Sequence, residues 1–149
     1  MRARGLWSKV VLVGGQSDSG FLEDTWEWDG NTWTERRVTT KPRPRVGVAM
    51  ATLGNKVVLF GGGRSGETLA ETWEWDGNDW TERNVVGPPA RTGAAMTALD
   101  GKLVLFGGAI SRGGPFDYYS DTWEWNGVTW TQPGTSGPSA RSGAAITAR

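Results

Sequence analysis

The chain has 149 residues, equal numbers of basic and acidic side chains, and neither cysteine nor histidine. This composition excludes disulfide bonds, removes the commonest metal ligand and general base, and gives no basic stripe for a nucleic-acid partner. No apolar run approaches the ~20 residues of a membrane span, and the N-terminus lacks the apolar core of a signal peptide. We therefore expect a soluble chain without a membrane or nucleic-acid partner; the sequence leaves its compartment undetermined.

The predicted elements form a unit that recurs about every 47 residues. In chain order, each unit has an Ala-rich strand A, an apolar strand B that ends at a Gly-Gly pair, a variable loop, a Trp-Glu-Trp strand C and a strand D. Strand A is predicted at 47–53, 93–99 and 143–148, and strand B at 9–13, 56–60 and 102–106, after a leader of residues 1–8. The glycine pairs are Gly14 and Gly15, Gly61 and Gly62, and Gly107 and Gly108.

Strand C places two tryptophans on one face, and strand D begins at a third. Asp-Gly or Asn-Gly between the two strands indicates a hairpin. A two-residue turn would place Trp26 opposite Trp33, a longer turn would place Trp28 there, and the sequence leaves both open. Each ring buries roughly 150–250 Å², so every unit must pack on a neighbour. The structural tryptophans are Trp26, Trp28, Trp33, Trp73, Trp75, Trp80, Trp123, Trp125 and Trp130.

An apolar strand, a Gly-Gly pair, a variable loop, an aromatic strand and a later tryptophan together resemble the kelch repeat, over about residues 6–149. The kelch family implies an all-β propeller, typically with about six or seven four-stranded blades around a channel. The resemblance predicts three blades: strands B to D of blade 1 at 9–36, blade 2 at 45–83 and blade 3 at 91–132. Tryptophan replaces the tyrosine that is more frequent in kelch repeats, which changes packing but not the fold.

Residues 141–149 repeat strand A, which the first unit lacks. Three blades cannot close a ring, and their open ends would expose apolar faces and a strand edge. We therefore expect a homodimer that forms one six-bladed ring, in which residues 141–149 of each chain complete blade 1 of the partner. The alternative is that this sequence is an excerpt from a longer propeller.

Charged residues also recur once in every unit, which indicates a structural role. An Arg–carboxylate pair would tie strand A to strand C or to a neighbouring blade. The alternative is a charged ring at the channel mouth. The recurring residues are Arg45, Arg91 and Arg141, then Glu27, Glu74 and Glu124, and the acids before each Thr-Trp, which are Asp24, Glu71 and Asp121.

The third B–C loop, residues 109–120, is longer than the other two and contains both tyrosines of the protein. Loops on rigid frameworks often carry function, and Arg and Tyr are favoured in binding hot spots. The loop is the candidate contact for a protein or small-molecule ligand, although it could instead pack on its neighbour. The candidate residues are Arg112, Phe116, Asp117, Tyr118 and Tyr119.

No nucleophile–base pair can be assembled from this sequence, so we predict no enzymatic activity, catalytic residue, cofactor or metal. The favoured function is a non-enzymatic interaction scaffold. Two alternatives stay open. The chain could be an excised, reconstructed or designed repeat segment with no evolved ligand, or an accessory propeller domain fragment of a larger enzyme.

Overall fold

The computed structural model describes residues 8–149, which form antiparallel β-sheets and no α-helix. The predicted leader therefore lies, except for Ser8, outside the described residues. The first unit contains β1 (Val10–Val13), β2 (Gln16–Ser17), β3 (Gly20–Phe21), β4 (Thr25–Trp28) and β5 (Trp33–Glu35). The second contains β6 (Ala49–Leu53), β7 (Lys56–Phe60), β8 (Gly63–Arg64), β9 (Glu67–Thr68), β10 (Thr72–Trp75) and β11 (Trp80–Arg83). The third contains β12 (Ala95–Leu99), β13 (Lys102–Phe106), β14 (Ala109–Ile110), β15 (Asp117–Tyr118), β16 (Thr122–Trp125) and β17 (Trp130–Thr131).

Three sheets account for most of the strands, and their order follows the chain. Sheet 2 runs β6–β7–β10–β11 and sheet 3 runs β12–β13–β16–β17, which is the predicted order A, B, C, D. Sheet 1 has the three strands β1–β4–β5. The all-β class and the repeated four-stranded sheets are thus confirmed.

Strand A differs from its predicted bounds. Gly47 and Gly93 precede β6 and β12 because their φ angles of 68° and 70° lie in the left-handed region, outside a strand. The third predicted copy, 143–148, forms no strand within the described chain, and residues 141–149 are all exposed.

The hairpin between strands C and D has the longer of the two turns considered. Trp28 lies opposite Trp33, and the same register recurs in the other two sheets. The two-residue alternative is wrong because the Asp29 carboxylate accepts hydrogen bonds from the N–H groups of Asn31 and Thr32, both at 2.8 Å. These bonds hold a turn that begins at the aspartate rather than a tight Asp-Gly corner. They also hold the pKa of Asp29 below its ordinary value, the bond from Thr32 most of all.

The B–C loops contain short two-stranded ribbons that the sequence pattern did not predict. The pairs are β2 with β3, β8 with β9 and β14 with β15. Each ribbon pairs two residues with two, which is too short for an alternating pattern to be recognised in the sequence. The candidate loop therefore projects from a ribbon rather than from irregular chain.

The apolar core lies between the sheets. One cluster joins Leu59 and the three sheet 2 tryptophans to Val11 and Val13 of sheet 1. A second joins Leu103, Leu105 and two sheet 3 tryptophans to Val58 and Phe60 of sheet 2. The facing sides of adjacent sheets thus bury one another, as the size of the indole rings required.

Leu59 tests this arrangement, since it is fully buried between sheets 1 and 2. We expect Leu59→Ala to lower the free energy of unfolding by about 2–5 kcal/mol, through lost transfer energy and the cavity left behind. Urea unfolding at fixed protein concentration measures this value. Val86→Ala is the control, because Val86 is 93% exposed and should change stability by less than about 0.5 kcal/mol. Equal effects of the two substitutions would contradict a core between the sheets.

Candidate functional site

Two of the recurring arginines, Arg45 and Arg91, bind the acid that precedes strand C of their own sheet. Arg91 is 1% exposed and forms a two-pronged pair with Asp121, with nitrogen–oxygen distances of 2.6 and 2.9 Å. Its guanidinium also donates to Gly107 O at 2.9 Å, and Trp123 Nε1 donates to the same carboxylate at 2.8 Å. The arginine thus joins the start of strand A to strand C of its own sheet. We call this group of arginine, acid, glycine carbonyl and tryptophan an Arg–acid site.

The second unit repeats this Arg–acid site. Arg45 is 3% exposed and donates to Glu71 and to Gly61 O, while Trp73 Nε1 donates to Glu71 at 3.0 Å. The sequence left the arginine's partner open between two recurring acids. The structure pairs it with the acid before Thr-Trp, and places Glu27 and Glu74 elsewhere.

Backbone contacts of the same arginines connect adjacent units. Gly62 N donates to Arg91 O at 2.9 Å, and Gly108 N donates to Arg141 O at 2.8 Å. Gly61 and Gly107 permit this approach, because a Cβ at either position would clash with the arginine carbonyl. The glycine pair of one unit therefore contacts and hydrogen-bonds the backbone of the arginine of the next unit.

In the first unit, the corresponding acid Asp24 has no arginine partner among residues 8–149. Trp26 Nε1 donates to Asp24 Oδ2 at 2.6 Å. Asp24 Oδ1 is buried and accepts no hydrogen bond from residues 8–149. Arg141 is the converse, since it is exposed and its side chain donates only to Ser139 in the described part of the chain.

Ionisation of the paired acids reflects two opposing effects. Burial raises the pKa of Asp121, but the hydrogen bonds from Arg91 and Trp123 outweigh it and hold the pKa below the ordinary 3.8. Burial likewise raises the pKa of Glu71, and the bonds from Arg45 and Trp73 bring it below 4.5. Both carboxylates therefore stabilise the fold in their charged form.

Two of the recurring glutamates, Glu27 and Glu74, lie at the junctions between sheets. Glu27 is buried, binds Lys9 and Arg36 of sheet 1, and accepts a hydrogen bond from Trp75 Nε1 of sheet 2 at 3.1 Å. Burial raises its pKa, but the hydrogen bonds from Lys9 and Trp75 bring it below 4.5. Glu74 has the corresponding partners Lys56 and Arg83.

The tryptophan that begins strand D in sheets 2 and 3 also donates across a junction. Trp80 Nε1 donates to Thr25 Oγ1 at 2.9 Å, and Trp130 Nε1 donates to Thr72 Oγ1 at 3.0 Å. Trp125 departs from the pattern, because its Nε1 is buried with no acceptor among residues 8–149. These bonds fix the orientation of one sheet on the next.

An arginine at the end of strand D completes both junctions. Arg36 donates to Gly77 O at 2.9 Å with its guanidinium 5.8 Å from the Trp75 ring centre. Arg83 donates to Gly127 O at 3.3 Å and lies 5.5 Å from the Trp125 ring centre. Each arginine thus bridges from its own sheet to the turn and the indole of the next.

The candidate ligand loop divides into two parts. Phe116 and Tyr118 are 52% and 55% exposed, and Arg112 and Asp117 are exposed beside them. Tyr119 is different, because its ring packs over the Arg91 guanidinium with 4.0 Å between their centres. Tyr119 therefore contributes to the Arg–acid site, and the four other residues are free to meet a ligand.

Within residues 8–149, no group of three or more acidic, histidine or cysteine side chains is arranged to hold a metal ion. No helix in that range is long and apolar enough to cross a bilayer.

Comparison with known sequences adds one match. A sequence model of the KLHDC2/KLHL20/DRC7 Kelch-repeats domain matches residues 6–149. No curated protein matches the chain. The matched range spans all three repeat units, so it includes both Arg–acid sites, the lone Asp24 and the candidate ligand loop.

Asp121→Asn tests the charge of an Arg–acid site. At pH 7 we expect the free energy of unfolding to fall by about 1.5–3 kcal/mol, because a hydrogen-bonded charge is lost. The contribution of a carboxylate with a lowered pKa is complete above pH 3.8 and disappears as the pH falls through its folded-state pKa. The difference between wild type and variant should therefore shrink in acid. Asp117→Asn, at an exposed position, is the control, and a difference that is equal at pH 7 and pH 2 would contradict the charged pair.

Proposed function

The chain belongs to the kelch-repeat family, and we propose that it is a protein-interaction scaffold. We propose further that its three sheets form half of a six-bladed propeller, which a second copy completes. The family match confirms the family resemblance of the sequence. Kelch-repeat domains are typically non-enzymatic modules that bind protein partners. A closed ring would give such a module a rigid frame for its loops.

The main observation that supports the ring is the open strand edge of sheet 1 that β1 forms. In sheets 2 and 3 this edge is covered by β6 or β12, whereas no strand among residues 8–149 pairs with that side of β1. An uncovered edge offers a row of backbone donors and acceptors to another chain. Residues 141–149 repeat the pattern of 45–53 and 91–99, which contain β6 and β12, and they are exposed.

The register of the added strand follows from sheet 3. There Ala95 lies opposite Phe106 and Met96 opposite Leu105. The equivalent pairing in the ring places Ala145 opposite Val13, and Ile146 opposite Leu12, of the second copy. Ile146 is 39% exposed in the single chain, and the exchange would bury it.

Ile146→Asp tests this pairing. Wild type should have twice the 16.1 kDa mass of the chain in size-exclusion chromatography with light scattering. The exchange would bury a charged side chain at this position, so the variant should shift to the monomer mass while its circular dichroism stays that of a folded β-protein. Ile146→Val retains strand propensity and is the control. A folded wild-type monomer at all concentrations would contradict the ring.

The proposed ligand surface consists of Arg112, Phe116, Asp117 and Tyr118 on the third loop. Two half-exposed aromatic rings beside opposite charges suit a polar peptide that carries an apolar anchor. The base of the loop is held in place, because Ser111 N donates to Thr68 Oγ1 at 3.5 Å and β14 pairs with β15. In a two-fold ring the two copies of this surface would lie on one face.

The double variant Phe116→Ala/Tyr118→Ala tests the ligand surface. We expect it to lose at least about tenfold in affinity for any protein partner recovered with wild type, since aromatic hot spots each contribute roughly 2 kcal/mol. Its mass and thermal midpoint should be unchanged. Val86→Ala is the control for an exposed apolar residue elsewhere, and equal partner binding by all three proteins would place the ligand site outside the loop.

A further inference from the structure

The outer face of sheet 1, away from sheet 2, is uncovered in the described chain. We define it by Val10, Leu12, Trp26, Trp28 and Trp33. Its equivalents in sheets 2 and 3 are buried against a neighbouring sheet. Leu12 is 45% exposed where Leu59 is 0%, and Trp33 is 47% exposed where Trp80 is 2%.

We propose that this outer face docks on the far face of sheet 3 of a second copy, and that the contact repeats the junction between sheets 1 and 2 except for one missing arginine. The proposal rests on the ring proposed above and names the residues at the contact between sheet 1 of one copy and sheet 3 of the other, which we call the seam. We define the far face by Val104, Phe106, Thr122 and Glu124, the equivalents of residues that sheet 2 turns toward sheet 3.

The tryptophan bonds of the internal junctions predict the first contacts of the seam. Trp80 donates to Thr25 and Trp130 to Thr72, so Trp33 Nε1 should donate to Thr122 Oγ1 of the partner subunit. At the junction of sheets 1 and 2, Trp75 donates to Glu27, whereas Trp125 has no acceptor at the next junction within residues 8–149. If the seam follows the first junction, Trp28 Nε1 should donate to Glu124 of the partner subunit. The Glu124 side chain is 26% exposed where those of Glu27 and Glu74 are 5% exposed, as expected for a group that lacks its covering sheet.

The Arg–acid sites predict a further contact between the two copies, from Arg141 of one to Asp24 of the other. Arg141 is already positioned by its backbone, because its N–H donates to Tyr119 O at 3.1 Å, as that of Arg91 does to Leu69 O. Its Nε donates to Ser139 O at 2.9 Å, as that of Arg91 does to Pro89 O. Its Nη2 donates to Ser139 Oγ at 2.7 Å, where Arg91 Nη2 donates to Asp121. In the ring, the guanidinium should exchange this hydroxyl for the buried Asp24 Oδ1 of the partner subunit, which supplies the charge complementarity of the two faces.

One residue breaks the equivalence. Arg36 and Arg83 end strand D in sheets 1 and 2, and the corresponding position in sheet 3 is Pro133. Proline has no guanidinium to reach the turn and indole of the next sheet, and no N–H to match the bond from Arg36 N to Thr25 O. The seam between copies therefore has the tryptophan and Arg–acid contacts of an internal junction but lacks its bridging cation.

Dimer dissociation constants from sedimentation velocity test the seam on the full chain. Trp33→Phe and Thr122→Val should each raise the constant about tenfold, because the same hydrogen bond is lost at both seams of the ring. The double variant should do little more than either single variant, since one bond joins the two groups. Additive effects would overturn the Trp33–Thr122 pairing.

Pro133→Arg supplies a gain-of-function test that does not depend on a weakened protein. It should lower the dissociation constant about tenfold, through a cation–indole contact and a charged hydrogen bond at each seam. Pro133→Ala is the matched control and should leave the constant near that of wild type. An equal effect of arginine and alanine would overturn the missing-cation argument. A wild-type chain that is monomeric throughout would instead overturn the ring itself, so the two failures are distinguishable.

Discussion

Burial of indole rings between neighbouring sheets is the constraint on which the rest of the structure depends. A single antiparallel sheet has one face for its tryptophans and nothing of its own to cover them. The chain meets this requirement by repetition, so that Trp73, Trp75 and Trp80 of sheet 2 pack on the valines of sheet 1. The hydrogen bond from Trp80 to Thr25 then fixes where each ring lies, because a buried indole N–H needs an acceptor.

The recurring arginines Arg45 and Arg91 form pairs inside the fold. They are not arranged as a ring of free charges, since Arg45 and Arg91 are almost fully buried and each binds an acid, a carbonyl and a neighbouring unit's backbone. Such pairs add geometric precision more than net stability. The unmatched Asp24 shows the cost of interrupting the series, because it leaves a buried carboxylate oxygen without a donor in the described chain.

Sequence reasoning predicted what repetition and periodicity encode. The apolar strands at 56–60 and 102–106 agree with β7 and β13, and the Trp-Glu-Trp strands agree with β4, β10 and β16. It could not choose the hairpin turn, because the backbone bonds to the Asp29 carboxylate compete with the Asp-Gly signal. It could not assign the partner of Arg91 between two acids that recur equally, and it grouped Tyr119 with the ligand loop although only the folded chain shows that ring packed on an arginine.

The position of the apolar clusters between sheets has a consequence for how the chain folds. A unit excised from its neighbours would retain its hairpins but no dry interior, so nucleation requires at least two adjacent units to condense together. Order then spreads along the array one interface at a time, as in a one-dimensional lattice with nearest-neighbour coupling. Amide hydrogens of β7 and β10, which lie in the middle unit with neighbours on both sides, should accordingly be the slowest to exchange with solvent.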